Sequence, residues 1–378
     1  MEGVTLTKDQ GQACQAMLRH GHRIGGYAGT GKSVTIGAAC EMARATSTKL
    51  ILATPTNKAA HVLRQIVRGA APVMTLHSLT TTPGEVPEYD EESGKIIGTK
   101  MVFTAKASPI KEHVVIDEGS MLGGHFFKRI EHLFESYAIV GDPFQLPPVK
   151  DTQLLSEDSC DVMLTEVMRQ AQDNPALAYA TELRQGGRRR AQEFGISVTD
   201  GIYAKDLGPM GEPDAICITF TNSDRHWFNQ QIRLARTGSK HWCPREGDKL
   251  IARYTDHESG VYNGMTGNVA EVFGAEDDRV TVRVSWAGDP PLDKLHVIDA
   301  RRLRGREVAF DDRFGDHIEY GYAVTCHAAQ GSSWGSVYVV PNIRVLLKHQ
   351  GREGMRRWMY TAITRVAGTG EVRILDNS

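Results

Sequence analysis

Residues 26–33 read GYAGTGKS, and this stretch restricts the possible folds more than any other. It satisfies G-x-x-x-x-G-K-[ST] at every specified position, follows a β-like segment through Ile24, and opens a helix predicted over 33–45. Strand, Gly-rich turn and helix N-terminus in that order make an anion cradle. Glycines let backbone N–H groups approach phosphate oxygens without a Cβ in the way, and the helix terminus adds favourable potential. The predicted nucleotide contacts are Gly29, Thr30, Gly31, Lys32 and Ser33, with Lys32 reaching the β- and γ-phosphates and the Ser33 hydroxyl on Mg²⁺. ATP and Mg²⁺ are therefore the expected cofactors. A dehydrogenase is excluded, because the loop carries Gly-Lys-Ser where G-x-G-x-x-G is needed and no ribose-binding acid follows at the expected place.

The second half of such a site is Asp117 and Glu118, delivered by the β-branched run Val114, Val115, Ile116. In an α/β sheet that run ends at the edge where the phosphate loop lies. Asp117 is the expected Mg²⁺ ligand, and Glu118 the group that orients and deprotonates the attacking water.

Around these motifs, short apolar runs alternate with helical periods. Strands are predicted at 50–54, 114–116 and 137–140, and a helix at 57–67. A second α/β region begins near Asp173, with strands at 215–221, 337–340 and 372–375 and helices at 224–236 and 353–363. This alternation predicts parallel sheets with helices on both faces. Two stretches interrupt it. Residues 83–100 are polar and turn-rich, which suggests a β-hairpin, and 247–308 alternate like a small all-β module. The run 186–190, GGRRR, is the one basic cluster in the chain and reads most simply as a solvated loop.

Lys plus Arg number 44 and Asp plus Glu 46, so global charge gives no support for a polyanionic partner; such binding needs a local track. The six cysteines stand in no metal-ligand spacing, and no signal-like or membrane-spanning apolar run is present. A reducing cytosol, bacterial or of a phage-infected host, is the expected compartment.

The motif order resembles superfamily 1B DNA helicases of the RecD-like branch, particularly small phage helicases of the Dda type, over nearly the whole chain. TKDQ at 7–10 is similar to the adenine-reading glutamine motif, TPTNKAA at 54–60 to motif Ia, and LHS at 76–78 to the His-Ser element after it. DEGS at 117–120 resembles motif II with Gly119 in place of alanine. GDPFQLPP at 141–148 resembles motif III, VMR at 167–169 the first arginine motif, VTCHAAQG at 324–331 motif V and YTAITR at 360–365 motif VI.

The resemblance implies two RecA-like parallel-sheet domains: 1–170 with a pin-like insertion at 80–106, and 171–378 with an SH3-like insertion at 245–310. It implies that Gln10 reads adenine, that Gln145 senses γ-phosphate and water, and that Arg169 and Arg365 meet charge on the transferred phosphate. Arg365 lies in the second domain, so hydrolysis would depend on domain closure.

The expected partner is single-stranded DNA at a duplex junction, with replication or recombination proteins possible, no membrane, and a monomeric chain. A stepping motor must hold phosphates without reading bases. Candidate contacts are Thr54, Thr56, Asn57, Lys58 and His77 on the first domain, and Thr221, Asn222, Thr325 and His327 on the second. Thr and Asn after a strand also serve as ordinary helix caps. Phe103 or Tyr89 could stack on the junction, with core packing the plainer role for Phe103; Tyr254, Tyr262 and Asn263 are further candidates in the all-β stretch. The implied activity is ATP-driven 5′ to 3′ translocation and unwinding. Two alternatives stay open: the motor subunit of an ATP-dependent recombination nuclease, or a nucleotide-gated DNA-binding protein that does not unwind.

Overall fold

The computed structural model describes residues 5–89, 96–148, 151–168, 173–256, 259–287, 291–306 and 315–376. The chain divides into two compact units. Met1–Pro143 with Pro147–Val167 forms the first, and Phe144–Leu146 with Met168–Ser378 the second. Three residues of motif III, Phe144–Leu146, thus belong with the second unit.

The first unit is built on a six-stranded sheet. Its strands run in the order Val73–Thr75, Leu50–Thr54, Ile110–Ile116, Phe134–Gly141, His22–Gly26 and Val162–Leu164, all parallel. Central strands of a parallel sheet are covered on both faces and so lack an outward polar row; His113 to Ile116 are accordingly all buried. Val115, Ala138 and Val140 pack against Ala13, Cys14 and Met17 of the helix Lys8–Met17, together with Ile36 and Ala39 of Lys32–Ala45. On the opposite face Val114, Ile116 and Ile139 meet Leu76, Leu79, Ile130 and Leu133. The insertion is an antiparallel pair, Thr81–Tyr89 with Ile96–Ala105. Phe103 on it does not join the core. It stands 44% exposed and meets the His77 ring in a T-shaped contact, with ring centroids 4.7 Å apart. The insertion is a two-stranded sheet and Phe103 stands in the open on it, so core packing was the wrong expectation.

The second unit carries a five-stranded parallel sheet, in the order Ala323–Thr325, Ala215–Thr219, Trp334–Val340, Val366–Asp376 and Ser197–Asp200. An antiparallel sheet of five strands accompanies it: Leu292–Asp299, Arg279–Trp286, Thr266–Glu276, Lys249–Ala252 and Ile318–Tyr320. Its strand Arg279–Trp286 buries Val280, Val282, Val284 and Trp286 and turns the alternate residues outward. These inward residues share one core with Phe228 and Ile232 of the helix Asn222–Thr237 and with Ala215 and Cys217 of the parallel sheet. The all-β stretch is thus continuous with the α/β core, and its last strand comes from beyond residue 310. The predicted helix 353–363 is the second half of Ile343–Ile363, which breaks at Gly351 (φ 67°, ψ −172°).

Candidate nucleotide site and nucleic-acid track

Parallel register brings the first unit's motifs to one edge of the sheet. Gly25 lies opposite Gly141, and Ile116 opposite both Ile139 and Ala53. The chain therefore leaves the sheet side by side at Thr54, Asp117, Asp142 and Tyr27.

After His22–Gly26, Gly29 (φ 78°) and Gly31 (φ 81°) take left-handed conformations and turn the loop into the helix Lys32–Ala45. No side chain caps that helix, so its first N–H groups face the loop's concavity. A Cβ on Gly26 would lie 2.8 Å from Lys32 Cγ, so the chain needs glycine there. Lys32 Nζ donates to the carbonyls of Gly26 (2.7 Å) and Tyr27 (3.1 Å), which holds its charge over the loop. The Thr30 hydroxyl donates to Tyr27 O (2.8 Å), and Ser33 is exposed at the helix start.

Gln10 braces this loop. Its Oε1 accepts from Thr7 N (3.1 Å) in a capping box, and its Nε2 donates to Thr30 O (3.2 Å). Gln10 thus ties the start of the helix Lys8–Met17 to the phosphate loop.

Asp117 accepts a hydrogen bond from Glu118 N (2.8 Å). Burial pushes its carboxyl up to about 7 and Glu118 adds to the rise, while that N–H and Lys32 oppose it. A carboxylate under this load lacks positive charge, and a divalent cation at Asp117 and Ser33 would supply it; the donor set is the hard oxygen type that Mg²⁺ takes. Glu118 sits in the left-handed region (φ 56°, ψ 40°), a costly conformation for a glutamate. The next residue explains how the turn is held. A Cβ on Gly119 would come within 2.4 Å of Ile139 Cγ2 and 3.0 Å of Val140 O, and one on Gly141 would meet Gly119 N at 2.8 Å. The departure from alanine in motif II is therefore steric: two glycines let the turn lie flat on the neighbouring strand.

In the second unit, Arg365 is 6% exposed. Its Nε donates to Thr361 O (3.0 Å), Nη1 to Ser332 O (3.5 Å) and Nη2 to Thr364 Oγ1 (3.3 Å). No carboxylate among the described residues pairs with it. Its charge is felt by Cys326, whose thiol burial pushes far up while Arg365 pulls the other way.

Phe144–Leu146 docks on the same motifs. Leu146 N donates to Thr361 Oγ1 (2.9 Å), Gln330 Nε2 donates to Leu146 O (3.1 Å), and Phe144 packs edge-on against Tyr360 with centroids 5.1 Å apart. Between them Gln145 is 4% exposed, and its Oε1 has no hydrogen-bond partner among the described residues. Gln330 and Thr361 carried no assigned role in the sequence. Their presence inside motifs V and VI was the only signal. Arg169 lies outside the described residues.

An AAA domain family model matches residues 5–197, and a UvrD-like helicase C-terminal domain model matches 320–368. The ATP-dependent RecD2 DNA helicase of Deinococcus radiodurans is 27% identical over 379 residues, covering 91% of this chain and 46% of that protein. The chain belongs to the AAA-domain family, in the superfamily 1B RecD-like helicase branch.

A probable conjugal transfer protein TraA of Sinorhizobium fredii is 22% identical, covering 90% of this chain and 30% of that one. The chain thus spans less than half the length of these curated relatives. Two solved structures share the fold of this RecD-like chain. Bacteroides Pif1 bound to single-stranded DNA has TM-score 0.57 at 17% identity, covering 99% of this chain and 92% of that one. Pif1 helicase from Candida albicans has TM-score 0.55 at 15% identity, covering 98% and 94%.

The RecD-like track candidates separate into two groups. Thr54 is fully buried and donates to Thr56 O (2.8 Å), while Thr56 and Thr221 cap their helices by accepting from Ala59 N (3.2 Å) and Asp224 N (3.0 Å). These three hydroxyls shape the backbone. Asn57, Lys58, His77, Asn222, Thr325 and His327 retain exposed surface, and all stand at the ends of parallel strands or the first turns that follow. Tyr254 and Tyr262 are partly exposed and Asn263 exposed. Among the described residues no helix is long and apolar enough to cross a membrane.

Proposed function

We propose that this chain is an ATP-dependent DNA helicase that moves along single-stranded DNA, 5′ to 3′, and separates duplex ahead of it. Lys32 and the loop amides hold the β- and γ-phosphates. Ser33 and Asp117 would hold Mg²⁺, which would neutralise phosphate charge. Glu118 takes the proton of the attacking water and Gln145 aligns that water, while Arg365, with Arg169, meets the charge that builds on the transferred phosphoryl group. Asn57, Lys58, His77, Asn222, Thr325 and His327 touch the DNA backbone, and Thr54, Thr56 and Thr221 position the loops that carry them. Phe103 on the hairpin Thr81–Ala105 is the apolar surface offered to the junction.

The observation that carries this reading is Arg365. A buried guanidinium without a carboxylate is costly, and no carboxylate among the described residues pairs with Arg365. An anion arriving during each catalytic cycle gives it a purpose. The likeness in sequence to a RecD2 DNA helicase, and in fold to a Pif1 bound to single-stranded DNA, supports DNA as the track.

The test is ATP hydrolysis with and without single-stranded DNA, and unwinding of duplexes bearing a 5′ or a 3′ tail. Strong stimulation by DNA and preference for the 5′ tail are expected, and Lys32→Ala should remove both activities. DNA-independent hydrolysis without unwinding would favour a nucleotide-gated binding protein, and preference for the 3′ tail would contradict the proposed direction.

A further inference from the structure

The basic run 186–190 is not alone in the fold. The helix Pro175–Arg184 that precedes it packs on Ile343–Ile363, and Arg356 Nη2 donates to Gly186 O at 3.5 Å. That second helix is itself basic. Across residues 182–193 and 343–357, nine Arg and Lys side chains stand against three glutamates, a formal +6 in a chain whose total is −2. The remainder of the chain is therefore −8.

On either side of the break at Gly351 the basic residues recur every four: Arg344 and Lys348 before it, Arg352 and Arg356 after. Like charges at that spacing destabilise a helix. Arg357 avoids this with an ion pair to Glu353 (3.2 Å), but Arg188, Arg344, Lys348 and Arg352 are exposed and bond to no described residue. A surface that keeps unpaired, mutually repelling cations is suited to a polyanion.

The rest of the patch selects among polyanions. Single strands need open aromatic platforms on which bases stack. Here the Phe194 ring is covered by the Arg189 guanidinium at 4.3 Å, and Trp358 is buried. A protein partner needs a cluster of apolar anchors, and Leu347 is the sole large apolar side chain more than a third exposed in these two segments. Eight of the nine cations are arginine, whose fork matches phosphate oxygens.

We infer that the loop 186–190 and the helix surface around Lys348 and Arg352 form a second nucleic-acid contact, a seat for the phosphate backbone of duplex DNA separate from the proposed single-strand track. It deepens the helicase reading, which would bring duplex to the protein, but its test does not depend on ATP or on tails. Blunt duplex affinity is measured by fluorescence anisotropy across a salt series for the full chain and for the triple variant Arg188→Gln, Lys348→Gln, Arg352→Gln. A second triple variant with Glu at the same positions guards against a small effect. The seat predicts about tenfold weaker duplex binding or more at low salt, and a log–log salt slope reduced by about 2 to 3, since each lost phosphate contact removes about 0.9. DNA-stimulated ATPase on a short single strand should stay at the parent level. Unchanged duplex affinity and slope in both variants would overturn the inference, as would weakened binding to polyglutamate with duplex binding intact. Loss of single-strand stimulation in the parent chain would count against the helicase reading alone, because the duplex measurement still reports on the seat.

Discussion

Arg233 and Arg365 are both buried in the second unit, 3% and 6% exposed, and they differ in what faces their charge. Arg233 Nε meets the Asp248 carboxylate at 2.8 Å, its remaining nitrogens donate to the carbonyls of His241 and Cys243, and Tyr322 OH and Arg245 N complete Asp248. Its cluster ties the helix Asn222–Thr237 to the antiparallel sheet and is internally neutral. Arg365 has two carbonyls and a hydroxyl and, among the described residues, no opposing carboxylate. Desolvating an ion is expensive, and an internal counter-ion offsets much of that cost. Where the protein closes such a cluster the arginine serves the fold; where it leaves one open, the missing anion must come from outside.

Substitution separates the two. Arg365→Ala should lower single-turnover ATP hydrolysis by about 10³-fold or more, the range for arginines that meet a transferring phosphoryl group, and leave the urea midpoint near the parent value. A large drop in midpoint with hydrolysis intact would place Arg365 with Arg233. Arg233→Ala should do the reverse, costing about 3–5 kcal/mol by stranding Asp248 with hydrolysis per folded molecule retained, read from urea denaturation and active-site titration.

The first unit holds the opposite open charge, Asp117. Unfolded, it ionises near pH 4; folded, near 7. Its folded-state value is raised, so the folded chain loses stability as pH climbs from about 4 to about 7, and above that the deficit is complete. Asp117→Asn should therefore stabilise the nucleotide-free protein at pH 8 by roughly 1–3 kcal/mol, have no stabilising effect at pH 4, and abolish hydrolysis. Thermal melts at the two pH values check it; equal effects at both would remove the electrostatic explanation.

The smallest effect is steric. Gly119→Ala should cost about 1–3 kcal/mol as Ile139 and Val140 give way, with hydrolysis falling because Asp117 and Glu118 move. A neutral outcome by urea titration would mean the sheet yields more easily than its packing suggests.

The open charges were legible in the sequence in unequal ways. Lys32, Ser33 and Asp117 follow from local chemistry, because a Gly-rich turn between a strand and a helix, and acids after a β-branched run, declare themselves within a few residues. Arg365 did not; an isolated arginine reads as a surface cation, and only the resemblance singled it out. Properties that depend on distant packing were hidden. Nothing near Gly119 foretells its contact with Val140, twenty-one residues away. The capture of Phe144–Leu146 by Gln330 and Thr361 joins positions about two hundred apart. The bonds by which Gln10 braces the phosphate loop through Thr7 and Thr30 are likewise invisible in the sequence. The run 186–190 looked like a solvated loop because its partner helix lies more than 150 residues later. The parallel sheets were readable because buried strands are short continuous apolar runs. The antiparallel sheet was readable as a pattern, but its closing strand Ile318–Tyr320 is too short to carry a period.

Affinity for a transition-state mimic tests the role of Arg365 most directly. With single-stranded DNA present, the parent chain and Arg365→Ala should bind ADP alike, while ADP with aluminium fluoride should bind the variant at least about 10²-fold more weakly, since a group that acts on the transferring phosphoryl is felt chiefly there. If both ligands bind the variant as tightly as the parent, Arg365 does not complete the ATP site.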